Sequence, residues 1–371
     1  MKIVLAPDSF KGTLSALEVC AIEEATIREQ LPEVQVVQLP LADGGEGTLE
    51  AIRHVQPGAR RVECHAHDPL MREIIAEFLR LPDGTAVIEL AQASGLNRLQ
   101  PQERNPLVAN TFGIGELISH ALKCGCQKLI VGLGGSATVE GGIGLAAALG
   151  GKFFDQFGTP LPQFPESLAQ VRTLEQPSGL EEISLTIACD VTNPLVGPAG
   201  AAAVFGPQKG ATPEMVTVLE AGLANWAHLW NDNGNQPGDG AAGGVGFLLR
   251  KLFPHCQTIS GGELLCELAG LDNQLADADL VITGEGASDA QTLNGKLPFI
   301  VGQHARNANV PCALLSGFLP QEVAPALKSH FQYLAGTLTE TPEPQELTHD
   351  NCGRRLRQAT RQLIQTILDN S

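Results

Sequence analysis

Positive charge is what this chain has least of. Its 24 Lys and Arg residues stand against 41 Asp and Glu, a net charge of −17. Such a surface repels phosphate backbones and anionic lipid heads, which argues against nucleic-acid and membrane-surface roles. An anionic small substrate remains compatible, but its site must be locally positive. Apolar runs of about 18 residues, the length of a membrane-spanning helix, are missing. The opening Lys2-Ile3-Val4-Leu5-Ala6 stretch is too short for a signal peptide, and a turn at Pro7-Asp8 breaks it. Paired cysteine motifs are missing too. The nine cysteines are scattered, and the closest pair, Cys124 and Cys126, has no second pair to complete a zinc site. Reduced thiols in a cytoplasmic protein are the expectation. No Walker A loop, Gly-x-Ser-x-Gly or His-Glu-x-x-His pattern occurs, and the glycine-rich segment 134–138 lacks the spacing of a dinucleotide fingerprint.

Glycine, in contrast, is abundant, with 41 residues in a chain of 371. That length suggests two domains at roughly 150 residues each. The pattern is strand, loop, helix, strand. Ile3-Val4-Leu5-Ala6, residues 34–39, Leu129-Ile130-Val131-Gly132-Leu133, Leu280-Val281-Ile282-Thr283 and Cys312-Ala313-Leu314-Leu315 read as strands. A helix opens at Ser15 with Glu18 three residues on, the spacing of a capping box. A small-residue helix is expected after 134–138, and a terminal helix over 352–369. Apolar strands alternating with helices imply a parallel sheet covered on both faces, with ligands at the carboxyl ends of its strands. Residues 62–90 read instead as an antiparallel meander turned by Pro82-Asp83-Gly84-Thr85. On it, His65 and His67 are expected to be structural. Residues 151–260 mix isolated strands with Gly/Pro-rich loops. The expectation is an inserted second domain, with the active site in the cleft between the two.

Chemistry-bearing residues fall on the loops after these strands. Pro7-Asp8-Ser9-Phe10-Lys11 offers an acid, a hydroxyl and a point charge suited to phosphate or carboxylate. A turn capped by Asp8 and Ser9 is the alternative, but the placement of both Asp8 and Lys11 at a strand's carboxyl end favours a functional role. Asp43-Gly44-Gly45-Glu46-Gly47-Thr48 combines acids that could grip Mg²⁺ or hydroxyls with glycines that admit a ligand. A helix N-terminus accounts for the acids but not the glycines. Gly134-Gly135-Ser136-Ala137-Thr138 could form an anion nest, or serve close helix–sheet packing. Asp190 closes the strand 183–189 and suits a general base or a metal ligand. Phe205-Gly206-Pro207-Gln208-Lys209-Gly210 brings another cation to a loop. Gly284-Glu285-Gly286-Ala287-Ser288-Asp289, with Asn294-Gly295-Lys296, gathers two acids and a lysine. Recurrent acid, hydroxyl, glycine and lysine sets are what phosphoryl transfer requires, because its catalysis is mostly positioning and charge neutralisation.

Taken in order along the chain, these segments resemble the bacterial glycerate kinase family. The resemblance rests on residues 2–11, 42–48, 134–138, 188–195, 205–210 and 282–286. It implies ATP-dependent phosphorylation of D-glycerate with Mg²⁺ on an α/β fold. That fold pairs a Rossmann-like three-layer α/β/α domain, with a mostly parallel sheet, with an inserted α/β domain. The corresponding boundaries are 1–61, 96–135 and 262–371 for the first, and 62–95 with 136–261 for the second. Asp190 is the expected general base, with Asp43 or Asp8 as runner-up and Lys11 stabilising charge. Gly134, Gly135, Ser136, Thr138, Lys296 and Lys209 are expected to hold the cofactor, and Glu285 with Asp289 the metal. The product expected is 2-phosphoglycerate, with 3-phosphoglycerate the other option, and the protein is expected to be a monomer or homodimer. A hydroxy-acid dehydrogenase or isomerase and a non-catalytic sugar-acid sensor are the rival readings. Two departures stand out: Ala287 occupies a position where the family commonly has Arg, and Val139-Glu140 replaces its usual Asn-Asp.

Overall fold

A computed structural model describes residues 1–293, 295–340, 343 and 347–369, so Asn294 lies outside the described residues. The chain divides into two compact units. One comprises Met1–Asp43, Glu50–Pro57 and Gly262–Ser371, and the other Gly44–Leu49 and Gly58–Gly261.

The first unit is built on five strands in the order Tyr333–Leu338, Cys312–Phe318, Leu280–Thr283, Lys2–Leu5, Gln35–Gln38. Every neighbouring pair is parallel. Counted along this unit alone, that is the 2-1-3-4-5 order of doubly wound sheets, whose direction of winding reverses between the first strand and the third. The central strands Lys2–Leu5 and Leu280–Thr283 are buried through both faces, as strands sandwiched by helices must be, while the edge strand Gln35–Gln38 is partly exposed. One face packs Ile3, Leu5, Leu280, Ile282 and Leu315 against Val19 and Ile27 of the helix Ala16–Gln30 and Leu356, Leu363 and Ile367 of the helix His349–Asp369. The helix Leu297–Asn307 packs on the strands Leu280–Thr283 and Cys312–Phe318. Ser15 caps the first helix as its spacing predicts: its side chain accepts from the Glu18 amide, and the Glu18 side chain accepts from the Ser15 amide.

The second unit holds a six-stranded sheet in the order His255–Ile259, Ser184–Ala188, Lys128–Gly132, Ala86–Glu89, Glu73–Arg80, Arg60–His67. The first four strands run parallel, and the last two pairings are antiparallel. The meander is therefore present, but its last strand doubles as the edge of the parallel part. This pairing corrects the expected boundary. The expectation puts residues 96–135 in the Rossmann-like domain, and Lys128–Gly132 has the same apolar pattern as that domain's strands. It is instead hydrogen-bonded between Ala86–Glu89 and Ser184–Ala188, and its neighbours fix its domain where its own periodicity could not. On this sheet His67 is tied to Glu116, Nδ1 to Oε2 at 3.0 Å, and meets the Phe112 ring edge-on. All nine cysteines are free thiols. Among the described residues no helix is long and apolar enough to cross a membrane.

Glu23 breaks the pattern of the first helix. It is fully buried, and neither carboxyl oxygen has a hydrogen-bond partner. Burial pushes its pKa up to about 8. A carboxyl with a raised folded-state pKa favours folding at low pH, and that contribution is lost as pH rises from the unfolded value through the folded one. Thermal unfolding between pH 5 and pH 9 should therefore show stability falling by on the order of a few kcal/mol from this group. Glu23→Leu should flatten that slope and be the more stable protein at pH 9. An unchanged slope would remove Glu23 as its source.

Candidate active site

The reversal point of the first unit's sheet is where doubly wound folds place ligands. Two strands diverge there, Lys2–Leu5 and Leu280–Thr283, and the loop after each carries an acid. Backbone bonds hold the loops together: the Ala6 amide donates to the Ile282 carbonyl (2.8 Å) and the Asp8 amide to the Gly284 carbonyl (2.9 Å). Gly284 is required by this packing, because a Cβ there would lie 1.9 Å from the Leu315 carbonyl oxygen. Six charged side chains from three separate loops are coupled here, five of them through ion pairs. Lys11 Nζ donates to Asp43 Oδ2 at 2.7 Å. Lys296 Nζ lies 3.5 Å from Glu285 Oε2 and 3.3 Å from Asp289 Oδ1. Asp8 feels both Asp43 and Glu285 electrostatically.

Asp8 is buried, and its Oδ1 accepts from the Ser9 amide at 2.6 Å. Burial and then the neighbouring Asp43 carboxylate push its pKa up to about 7, against the pull of Lys11 and the Ser9 amide. A carboxyl poised near neutrality can hold or release a proton at working pH. Glu285 is buried and oriented differently. Its Oε1 accepts from Ser288 Oγ (3.0 Å) and Thr292 Oγ1 (2.7 Å), and Ser288 Oγ also meets Ser316 Oγ at 2.7 Å. Those three hydroxyls were not singled out in the sequence. Ser316 lies within the strand Cys312–Phe318 and the other two on the loop after Leu280–Thr283, and single hydroxyls at such positions are too common to be diagnostic. Ala287 is exposed and pairs with Phe318 in an isolated parallel bridge, so the missing arginine leaves no void here.

A second set of strand ends lies in the second unit. Gly134, Gly135, Ser136 and Thr138 follow Lys128–Gly132, but the helix expected to start directly there begins only at Ile143. The segment is thus not a helix N-terminus. Part of its backbone is used internally: the Gly134 amide donates to the Gly44 carbonyl (3.4 Å) and the Ala137 amide to the Ser94 carbonyl (2.9 Å). A Cβ at Gly134 would lie 2.4 Å from the Gly45 Cα, so close backbone packing explains much of the glycine density at 44–47. Lys209, by contrast, does join this segment. It is buried, and its Nζ donates to Ser136 Oγ (2.6 Å) and to the Thr138 carbonyl (2.8 Å). Burial pushes its pKa down to about 7. Asp190 is exposed, and its Oδ1 accepts from the Gly261 amide at 3.0 Å. Glu89 was overlooked, though it closes Ala86–Glu89 just as Asp190 follows its own strand. It is buried, and burial pushes its pKa up to about 7 against the stabilising contacts of Gln92 and the Gly47 and Thr48 amides. Reading 62–90 as a plain meander hid it, because ligand sites are sought at the ends of parallel strands.

Comparison with known proteins now decides the family. The model of the glycerate kinase family matches residues 3–368. This chain is a member of the glycerate kinase family. It is similar to a glycerate kinase of Haemophilus influenzae, 42% identical over 331 residues and 87% of each chain. It is also similar to the glycerate 2-kinase of Escherichia coli, 41% identical over 333 residues, 87% of this chain and 87% of that one. A crystal structure of a glycerate kinase 2 from Salmonella typhimurium LT2 superposes with a TM-score of 0.84 at 39% identity, covering 100% of this chain and 99% of that one. Membership makes the chain a kinase, a phosphotransferase with an alcohol acceptor, on a two-domain mixed α/β fold with mostly parallel sheets.

Within this family member, Glu140 takes up a structural role. It is fully buried and receives hydrogen bonds from the Thr111 hydroxyl and the Gly144 amide (2.9 Å), while the Leu145 amide donates to Thr111 Oγ1 (2.9 Å). Burial pushes its pKa up to about 8 despite these donors. Glu140→Ala orphans a buried hydroxyl and an amide, which should cost about 2–4 kcal/mol. Denaturant unfolding should show that loss. A variant of unchanged stability would exclude this anchoring role.

Proposed function

We propose that this glycerate kinase family member transfers the γ-phosphoryl group of ATP to a hydroxyl of D-glycerate, giving 2-phosphoglycerate, in the cytoplasm. The observation that carries the reading is the convergence of Asp8, Lys11, Asp43, Glu285, Asp289 and Lys296 at the reversal point of the first unit's sheet. Phosphoryl transfer places heavy demands on charge and position, and comparatively few on covalent chemistry. Acids and lysines coupled in this way meet both demands. The names of the relatives support glycerate as acceptor, and the name of the Escherichia coli enzyme supports the 2-position.

Asp8 is our choice for the group that accepts the acceptor hydroxyl's proton. Its burial and its Asp43 neighbour give it a proton affinity matched to neutral pH, which favours it over the exposed Asp190. Lys11 and Lys296 would offset negative charge on the phosphates. Gly134, Gly135, Ser136, Thr138 and Lys209 would contact an anionic group of substrate or nucleotide. Glu285 and Asp289 suit Mg²⁺: their oxygens converge on one ammonium, so they already face a single cationic position. Among the described residues no cluster of three or more His, Cys, Asp or Glu side chains is arranged to hold a metal. Magnesium delivered with a nucleotide needs no such cage, because phosphate oxygens and waters complete its shell around one or two carboxylates. When bound, it would neutralise charge on the transferring phosphate.

Purified protein should release ADP from MgATP only when D-glycerate is added, and chelation with EDTA should stop it. Absence of glycerate-dependent turnover overturns the assignment. Phosphorus NMR of the product should show the 2-phosphate; a 3-phosphate signal would correct the position. Asp8→Asn should lower kcat on the order of 10²-fold or more, whereas Asp190→Asn should cost less. If the Asp190 variant is the more impaired, the base is Asp190 and the choice of Asp8 is wrong.

A further inference from the structure

Lys209 has an arrangement that a purely structural lysine would not need. Its ammonium is buried, and both its partners, Ser136 Oγ and the Thr138 carbonyl, are neutral oxygens. Among the described residues no carboxylate is within ion-pair distance of it. A buried charge without a counter-ion is costly, and the usual resolution is loss of the proton or arrival of an opposite charge. Burial alone accounts for its lowered proton affinity, so no charged group on the packed segments compensates it.

The surroundings are rich in unused donors. Ser94 Oγ and Thr138 Oγ1 are buried with no hydrogen-bond partner, and so are Arg98 Nε and Arg104 Nε. These residues lie on segments joined to each other. The Ala137 amide donates to the Ser94 carbonyl, the Leu96 amide to the Gly135 carbonyl, and Gly210 abuts the Arg104 carbonyl, where a Cβ would come within 2.3 Å. The acid nearest in sequence to Arg104, Glu103, is occupied by Arg72 at 2.8 Å. Buried polar atoms without partners thus lie on the segments joined to the one that holds Lys209, itself a buried lysine without a counter-ion.

We infer that an oxyanion, a carboxylate of the hydroxy acid or a phosphate of the nucleotide, completes the Lys209 site, and that its binding draws a proton onto Lys209 from solvent. The proton balance is simple: the free protein holds Lys209 largely as the amine above neutral pH, the anion raises its proton affinity, and the complex holds the ammonium. No covalent bond changes. The inference rests on the proposed kinase reading for the identity of the anion, but the proton count does not depend on turnover.

Isothermal titration calorimetry at pH 8, run in two buffers of different ionisation enthalpy, tests it. D-glycerate and a non-hydrolysable ATP analogue with Mg²⁺ are titrated separately, which identifies the source of the anion. One of them should take up roughly 0.5–1 proton per molecule bound. Asp8 also titrates near neutrality, so two variants isolate Lys209. Lys209→Met should weaken binding of that ligand on the order of 10–100-fold and lose the uptake. Lys209→Arg stays charged at pH 8, so it should retain more of the affinity than Lys209→Met while losing the uptake. Circular dichroism melts confirm that the variants are folded. Wild-type protein that binds both ligands without uptake, or Lys209 variants with undiminished uptake, overturns the inference. Turnover of glycerate without proton uptake would leave the kinase reading standing and remove this one. Uptake without turnover would do the reverse.

Discussion

Like charges held close together are the constraint on which the first unit's site depends. Asp8, Asp43 and Glu285 would repel one another in any compact arrangement, and Asp8 is buried besides. Two lysines make the cluster tolerable. Lys11 pairs with Asp43, and Lys296 is shared by Glu285 and Asp289. The hydroxyls of Ser288 and Thr292 fix Glu285 from the other side. What remains is an excess of negative charge carrying a proton on Asp8. A cation bound with a polyphosphate would relieve that excess and draw the proton off Asp8, leaving a carboxylate ready to accept the proton of an incoming hydroxyl. The site is thus held in a condition that its ligands improve.

The second unit has the complementary problem. It holds a buried lysine with no acid partner and, on the segments joined to the one that lysine touches, two arginine nitrogens and two hydroxyls without partners. A chain with a net charge of −17 can bind an anion only where its few cations are concentrated and shielded from its many acids. Burial does this for Lys209, at the expense of its proton affinity. Within each unit, then, strand-end loops store an electrostatic imbalance, negative in one and positive in the other. Each imbalance is sustained by a rigid parallel sheet whose packing does not depend on it.

Glycine links these charges to the fold. Gly284 lets one acid-bearing strand pass against the Leu315 carbonyl, and Gly134 lets the 134–138 segment lie on the backbone at Gly45. Motifs that read as ligand loops are therefore also packing motifs. The glycines of 44–47 owe much of their presence to backbone contact, while the acid beside them, Asp43, belongs to the ion pair with Lys11. Glu140 illustrates the same division. It lies just beyond the glycine-rich segment 134–138, yet it is turned inward to hold Thr111 and the start of a helix.

Local chemistry was legible from the sequence alone. The capping box at Ser15, the hairpin at 82–85, the apolar strands and the strand-end acids and lysines all follow from short-range rules of backbone geometry and hydrophobic period. The order of the motifs along the chain was enough to indicate the family. Pairing was not legible. Lys128–Gly132 has the same apolar pattern as Leu280–Thr283, and nothing local says which sheet it joins; that depends on partners some 40 residues before and 55 after it. Nor could spacing distinguish the roles of the acids. Asp8, Glu89 and Asp190 each follow a strand, but burial raises the first two and leaves the third exposed. Proton affinity is set by what surrounds a carboxyl in space, by excluded water and nearby charge, and only the tertiary structure supplies those surroundings.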